Sequence, residues 1–289
     1  MKFTMFKFGL GACAIMLSTS AFAGTACTST SSEADHTGLN AANGEHGYCF
    51  HTPQQLNLVI YEFGLCKDAS SPADRAPCTA LFSDTGGRAV NLSVGAVDEL
   101  IDNISIDEGT YTHAYLIASN ETSVKSVIEF STARTDDQGN SGKFCYTDGR
   151  SWDNNPPSIM SCGSTAANAV ASVETIALYG ANNSHMNTML DYTVSQGGQS
   201  IVSDLYMIAS DGTLSTGFAN DFALYASQRL LAPVDVSVDT KNIDVAFSIT
   251  DGVSIGFDTA FDLANSISAS TRGPNDAVWE GLQFIITAQ

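Results

Sequence analysis

Short apolar stretches recur along most of the chain, separated by turn residues such as Gly, Pro, Asn and Asp. The first, LNLVIYEF at 56–63, is rich in β-branched and aromatic types, which favour strands. A turn at 107–109 leads into a second strong strand that ends at Ala118. The further predicted strands are 89–93, 123–132, 174–179, 189–194, 201–209, 222–231, 234–238, 243–250, 253–257 and 282–287.

Repeated short strands with few helices predict an all-β protein, an antiparallel β-sandwich of the immunoglobulin-like or jelly-roll-like kind. One short helix is expected at 94–101, where apolar residues recur at helical spacing after Ser93, a suitable N-cap. Asp251-Gly252 lies between two apolar runs and predicts a β-hairpin.

The chain divides into three predicted parts: a signal peptide at 1–23, a polar N-terminal arm at 24–55, and the sandwich at 56–289. The sandwich includes a long disulfide-bounded loop at 133–165. An alternative is two smaller β domains that divide near residue 165. It is suggested by the similar stretches AYLIASNET at 114–122 and LYMIASDGT at 205–213, which lie 91 residues apart.

The first residues resemble a secretory signal, with Lys2 and Lys7, an apolar run and small residues that end at Ala23. Cleavage after Ala23 is expected, and lipidation at Cys13 in LGAC is the alternative. No second apolar stretch reaches the roughly 20 residues of a membrane span. The prediction is therefore a secreted protein, extracellular or at the cell surface, with the periplasm also open.

Six cysteines remain once Cys13 is removed with the signal, and an even number in an exported chain predicts disulfides. Pairing neighbours is the simplest of the fifteen possible arrangements. It gives Cys27–Cys49, Cys66–Cys78 and Cys145–Cys162.

The formal net charge is −19, and loss of the two signal-peptide lysines makes the mature chain −21. Such a surface repels polyanions, so nucleic-acid binding is not expected. An acidic surface keeps an exported protein soluble and attracts cations.

The most site-like stretch is FCYTDGRSWDNNPPSIMSC at 144–162, which combines aromatic, amide and carboxylate side chains between two cysteines. Long stapled loops are a frequent place for recognition. Tyr146, Trp152, Asp153 and Asn154 are therefore predicted to bind a ligand, although a loop that only caps the sandwich is the alternative.

His113 is a further candidate for ligand binding. Period-two alternation places it on one strand face with Tyr111, Tyr115 and Ile117. Such a face suits sugar stacking, and a packed face with a hydrogen-bonded histidine is the alternative.

Oxygen-rich turns make calcium the one cofactor considered, and no other is expected. The candidate ligands are Asp136, Asp137, Asn140 and Asp148, although their spacing does not fit an EF-hand. Arg150 lies next to the second group, and Asp, Asn and Gly are also ordinary turn residues.

The chain contains no H-E-x-x-H, P-loop or G-x-G-x-x-G signature. The sequence therefore favours a non-enzymatic structural or interaction protein, such as a cell-surface or filament subunit. Its partners would be further copies of itself or other surface proteins. The alternative is a carbohydrate-binding module or glycan-active hydrolase that uses the loop at 144–162.

Overall fold

Strands dominate the molecule. The computed structural model describes residues 25–32, 48–94, 106–151, 159–180, 184–257, 271–274 and 276–288. These residues form strands and short 3-10 turns, without an α-helix among them. The described strands are β1 (Tyr48–His51), β2 (Gln55–Cys66), β3 (Cys78–Ser93), β4 (Gly109–Ser119), β5 (Glu121–Lys125), β6 (Val127–Thr135), β7 (Ser141–Thr147), β8 (Met160–Gly163), β9 (Ser172–Thr175), β10 (Leu178–Tyr179), β11 (His185–Met186), β12 (Thr188–Gln196), β13 (Gln199–Ile208), β14 (Ala223–Val236), β15 (Ile243–Ser248), β16 (Val253–Gly256), β17 (Asp276–Trp279) and β18 (Gln283–Ala288).

A curled antiparallel sheet of eight strands forms one layer, in the order β12-β13-β14-β4-β2-β5-β9 with β3 also paired to β2. β2 has three partners because β4 and β5 share one of its edges, at its C-terminal and N-terminal ends respectively. β3 covers the other edge along its whole length. β2 is therefore the centre of the sheet.

Smaller sheets cover one face of this layer and form the main core with it. The β15–β18 pair contributes Phe247 and Phe284, whose rings meet Phe63 of β2 edge to face at 5.6 and 5.5 Å. Phe130 of β6 packs against Phe257, just after β16, at 6.3 Å. The predicted all-β antiparallel sandwich is confirmed.

The opposite face of the large sheet carries a second, smaller core built from tyrosines. Tyr115 and Tyr225 stack with ring centroids 5.6 Å apart, and both are buried. The loop between Cys66 and Cys78 lies against them, and the Tyr225 hydroxyl donates to Ser70 Oγ of this loop at 2.7 Å. The Tyr115 hydroxyl donates to the Glu62 carboxylate at 2.5 Å. Polar side chains thus satisfy the hydrogen-bonding capacity of both buried tyrosine hydroxyls.

The three disulfides in the described residues join Cys27 to Cys49, Cys66 to Cys78, and Cys145 to Cys162. The sequential pairing expected from the sequence is therefore confirmed. Two of the bonds link residues that face each other on neighbouring strands, in β2–β3 and in β7–β8. They fix the register of those strand pairs.

The large sheet contains strands from both sides of residue 165. The two similar stretches of the sequence lie on β4 and β13, which flank β14 in this sheet. Leu116 of β4 and its counterpart Met207 of β13 face Ala226 and Leu224 of β14 respectively. The two similar stretches thus lie on either side of one strand, offset by two residues.

The prediction of a β-hairpin at Asp251-Gly252 is wrong. β15 pairs with β18, whereas β16 pairs with β1 and β17, so the turn carries the chain from one sheet to another. Asp251 takes a left-handed conformation (φ 53°), and its backbone N–H donates to the Thr52 hydroxyl at 2.9 Å. Aspartate tolerates this backbone region, so the same dipeptide serves a different connection.

Other strand predictions shift in detail. The predicted strands 222–231 and 234–238 are one strand, β14, whose pairing with β4 is irregular between Arg229 and Val234. Next to that irregularity the predicted common face of β4 breaks down: Tyr111 belongs to the main core, whereas Tyr115 and Ile117 belong to the tyrosine core. A register irregularity increases local twist and re-aims side chains.

Several predicted features lie outside the described residues. They are the signal peptide at 1–23, residues 33–47 of the arm, and residues 95–101 of the predicted helix.

We expect Gly64→Ala to lower the free energy of unfolding by about 1–3 kcal/mol, as overpacking does. A methyl group at Gly64 would collide with the Thr79 carbonyl oxygen and the Tyr115 ring, so β3 or the ring must move. Thermal unfolding followed by circular dichroism measures the effect. Gly217→Ala is the control, because Gly217 has extended backbone (φ 171°) and open space around it. Equal stability of the two variants would contradict the packing described at Gly64.

Candidate functional site

A shallow polar cleft of about 550 Å³ lies on the sheet formed by β6, β7 and β8. Its volume is within the usual range for small-molecule sites, ~300–1,000 Å³. The disulfide between Cys145 and Cys162 ties the two strands that form its floor. The lining residues are Asn140, Ser141, Tyr146, Asp148, Ser161, Cys162, Gly163, Ser164 and Asn168.

Tyr146 is the aromatic member of the cleft. Its ring is largely buried, and its hydroxyl accepts a hydrogen bond from Asn168 Nδ2 at 3.2 Å. The absence of a side chain at Gly163 makes room for it, since a Cβ there would lie 2.9 Å from the tyrosine hydroxyl. The phenol group is thus fixed with its oxygen at the cleft.

Asp148 is held by its neighbours on one wall of the cleft. Arg150 donates to its carboxylate through Nε at 2.8 Å and through a guanidinium NH₂, and the Ser161 hydroxyl donates at 2.6 Å. Burial alone would raise the pKa of Asp148, but the hydrogen bonds from Arg150 and Ser161 outweigh burial and hold it below the usual 3.8. The group is therefore a carboxylate at neutral pH.

Asp136 has a structural task at the same end of the sheet. Its fully buried carboxylate accepts backbone N–H bonds from Gln138, Asn140 and Cys162 at 3.0, 2.8 and 2.9 Å, and a further bond from Asn140 Nδ2. It thereby joins the β6–β7 turn to β8.

The calcium prediction gains no support from this geometry. The oxygens of Asp136 and Asp148 already accept bonds from N–H and hydroxyl groups. Asp137 lies next to Asp136 in the β6–β7 turn. In the described part of the chain no three His, Cys, Asp or Glu side chains come together as metal ligands. Calcium binding stays a prediction.

The structure brings together three of the residues singled out in the sequence, Asn140, Tyr146 and Asp148, which all line the cleft. Trp152, Asp153 and Asn154 lie outside the described residues. The described chain resumes at Ile159, whose carbonyl accepts from the Asp148 N–H at 3.1 Å.

His113 lies elsewhere, on the outer face of β4. Its Nδ1 is 2.9 Å from the Thr112 hydroxyl oxygen. Burial, and then the positive charge of Arg229, lowers the pKa of His113 below 6.5, so the ring is neutral at pH 7.

A second site was not predicted from the sequence. In the connection between β13 and β14, Phe218 packs against Tyr179 and His185, with ring centroids 5.2 and 4.9 Å apart. Asp221 Oδ1 accepts a hydrogen bond from His185 Nε2 at 3.0 Å. We call these four residues the aromatic corner. The available signal was an aromatic residue inside the turn-rich stretch STGFAND at 215–221, where apolar side chains have no strand to bury them.

We expect Asp148→Asn to lower the free energy of unfolding by about 1.5–3 kcal/mol at pH 7, the range for hydrogen bonds to a charged group. Because the folded-state pKa is lowered, this contribution is present above the unfolded pKa and is lost as pH falls through the folded pKa. The difference in stability from the native protein should therefore begin to narrow as the pH falls below about 3.8.

Urea unfolding between pH 7 and pH 3 measures this gap, with Asp239→Asn, a substitution of an exposed carboxylate, as control. A gap for Asp148→Asn that keeps its full size at pH 3 would show that charge is not what holds this wall of the cleft.

The rest of the chain adds two general findings. The disulfides indicate folding in an oxidising compartment. Among the described residues no helix has the length and apolar character to cross a membrane. Comparison with protein-family models, curated proteins and solved structures gave no match.

Proposed function

We propose that this chain is an exported, non-catalytic binding protein that holds a neutral oligosaccharide in the cleft at Tyr146. The observation that carries the proposal is the rigid polar lining, with side-chain hydroxyls and amides arranged around one fixed phenol group. Sugars present many hydroxyls that both donate and accept hydrogen bonds, and Ser, Tyr, Asn and Asp side chains complement them.

The charge of the protein favours a neutral ligand. The formal net charge is −19, and Asp148 adds a carboxylate to the cleft wall. Anionic polysaccharides would be repelled by this field, whereas neutral sugars would not. Ser164 and Asn168 are exposed at the rim and keep hydrogen-bonding capacity for a ligand.

Binding fits the cleft better than cleavage of the sugar. Glycoside hydrolysis generally uses two carboxyl groups, one of which is protonated at the start. Among the lining residues that the structure describes, Asp148 is the one carboxylate, and its bonds to Arg150 and Ser161 keep it ionised. A group held in this way is a hydrogen-bond acceptor rather than a general acid.

Export is supported by the predicted signal peptide and by the start of the described fold. The carbonyl of Thr25, two residues after the expected cleavage site, accepts from the Phe50 N–H at 2.9 Å. The Cys27 N–H donates to the Phe50 carbonyl at 2.8 Å, and Cys27 is disulfide-bonded to Cys49. The chain is thus incorporated into the fold almost from the expected mature terminus.

A surface or filament subunit stays a prediction. β18, considered for strand exchange, pairs with β15, and its Phe284 is buried in the main core. At the β12 edge of the large sheet the pairing is irregular between Met189 and Tyr192, and Asp191 has φ 53°. Irregular edges discourage strand addition, so the geometry favours binding through side chains.

The proposal is tested by screening the purified mature protein on an array of neutral oligosaccharides and measuring hits by calorimetry. We expect Asn168→Ala to weaken the best ligand about tenfold, roughly the loss of one or two hydrogen bonds. Asn91→Ala, which removes an exposed amide from β3, is the matched control and should leave affinity unchanged. The proposal fails if no neutral sugar binds at millimolar concentration, or if both variants bind equally well.

A further inference from the structure

The aromatic corner contains an unusual buried carboxylate. The Asp221 side chain is only 2% exposed, and His185 Nε2 is its hydrogen-bond partner at Oδ1. The other oxygen, Oδ2, is buried without any hydrogen-bond partner. A buried, unsatisfied oxygen is costly, and its presence in a folded protein calls for an explanation.

Aromatic surface lies next to His185, the hydrogen-bond partner of this carboxylate. Tyr179 and Phe218 are 43% and 38% exposed, although their rings pack against each other at 5.2 Å. Phe218 also meets the His185 ring edge to face at 4.9 Å. The two adjoining rings form a small patch of exposed apolar surface, a feature that interaction sites share.

The electrostatics of the corner are negative. Burial raises the pKa of Tyr179, and the charges of Asp221 and Glu174 raise it further. In the part of the chain that the structure describes, no salt bridge joins Asp221 to a lysine or arginine. The field of a buried charge is poorly screened, so it acts on a cation placed above the rings.

From these observations we propose that the aromatic corner binds an organic ammonium group, with the cation over Tyr179 or Phe218 and Asp221 as its counter-charge. Ring faces attract cations through their quadrupole, and ammonium groups with organic substituents also gain from contact with the apolar ring surface. A bare metal ion would need several oxygen ligands, whereas an ammonium needs only aromatic contact and charge. The ligand is a quaternary headgroup of the choline type or the side chain of a lysine. This site is separate from the cleft and does not depend on the proposed function.

The test is a ¹H–¹⁵N NMR titration of the oxidised mature protein with choline chloride, at ionic strength held constant with NaCl. The matched neutral probe is 3,3-dimethylbutan-1-ol, which has the shape of choline without its charge. We expect choline to shift the amide signals of Tyr179, Phe218 and Asp221 saturably and to bind at least fivefold more tightly than the alcohol. Equal binding of both probes, or no saturable shift with choline, would overturn the proposal.

Variants identify the groups responsible. Asp221→Asn should weaken choline at least tenfold, whereas Asp211→Asn, which neutralises a fully exposed carboxylate of the same loop, should have no effect. Phe218→Leu keeps an apolar side chain without the ring and should lower the affinity for choline several-fold. This variant tests the proposal independently if Asp221→Asn proves unstable. Unchanged affinity in both Phe218→Leu and Tyr179→Leu would overturn the aromatic contact. An Nα-blocked lysine amide distinguishes the two sources, since tighter binding of it than of choline indicates a lysine-bearing partner.

Discussion

The pairing of β2 with three neighbours is the constraint on which the rest of the structure depends. One edge of this twelve-residue strand is covered by β3, and the other is divided between β4 and β5. One face supplies Phe63 to the main core, while Glu62 on the same strand holds the Tyr115 hydroxyl over the opposite face. Because hydrophobic burial and strand pairing meet on a single strand, both layers and both clusters must form together around it.

Strand existence and disulfide pairing could be predicted from the sequence, whereas strand partners could not. Apolar alternation is a local property, and each disulfide closes a short stretch of chain. The Asp251-Gly252 turn shows the limit: the dipeptide specifies a left-handed backbone, but not whether the flanking strands pair with each other. Tyr111 shows another, since an irregularity on the facing strand, between Arg229 and Val234, changed which core it joins.

The candidate site was partly predictable for the same reason. Asn140, Tyr146 and Asp148 are close in sequence and meet in one cleft. The sequence indicated Tyr146 as a ligand-binding residue and the other two as candidate calcium ligands. Ser164 and Asn168, at the rim, lie beyond Cys162, where the predicted binding stretch 144–162 ends. The aromatic corner joins β10 and β11 to the loop before β14, which is distant from them along the chain. Its single carboxylate is not part of a recognisable sequence motif. Both proposed binding sites consist of hydrogen-bonded or packed side chains on a β scaffold, which is the arrangement expected of a binding protein.

The central claim, that the cleft at Tyr146 is the place where a neutral sugar binds, is tested most directly by locating a bound ligand. An oligosaccharide that binds in solution would be added to the ¹⁵N-labelled protein, and the perturbed amide signals would be assigned. The account predicts saturable shifts at Gly163, Ser164 and Asn168, with the signals of the aromatic corner unchanged. Shifts confined to another surface, with these three signals unmoved at saturation, would contradict it.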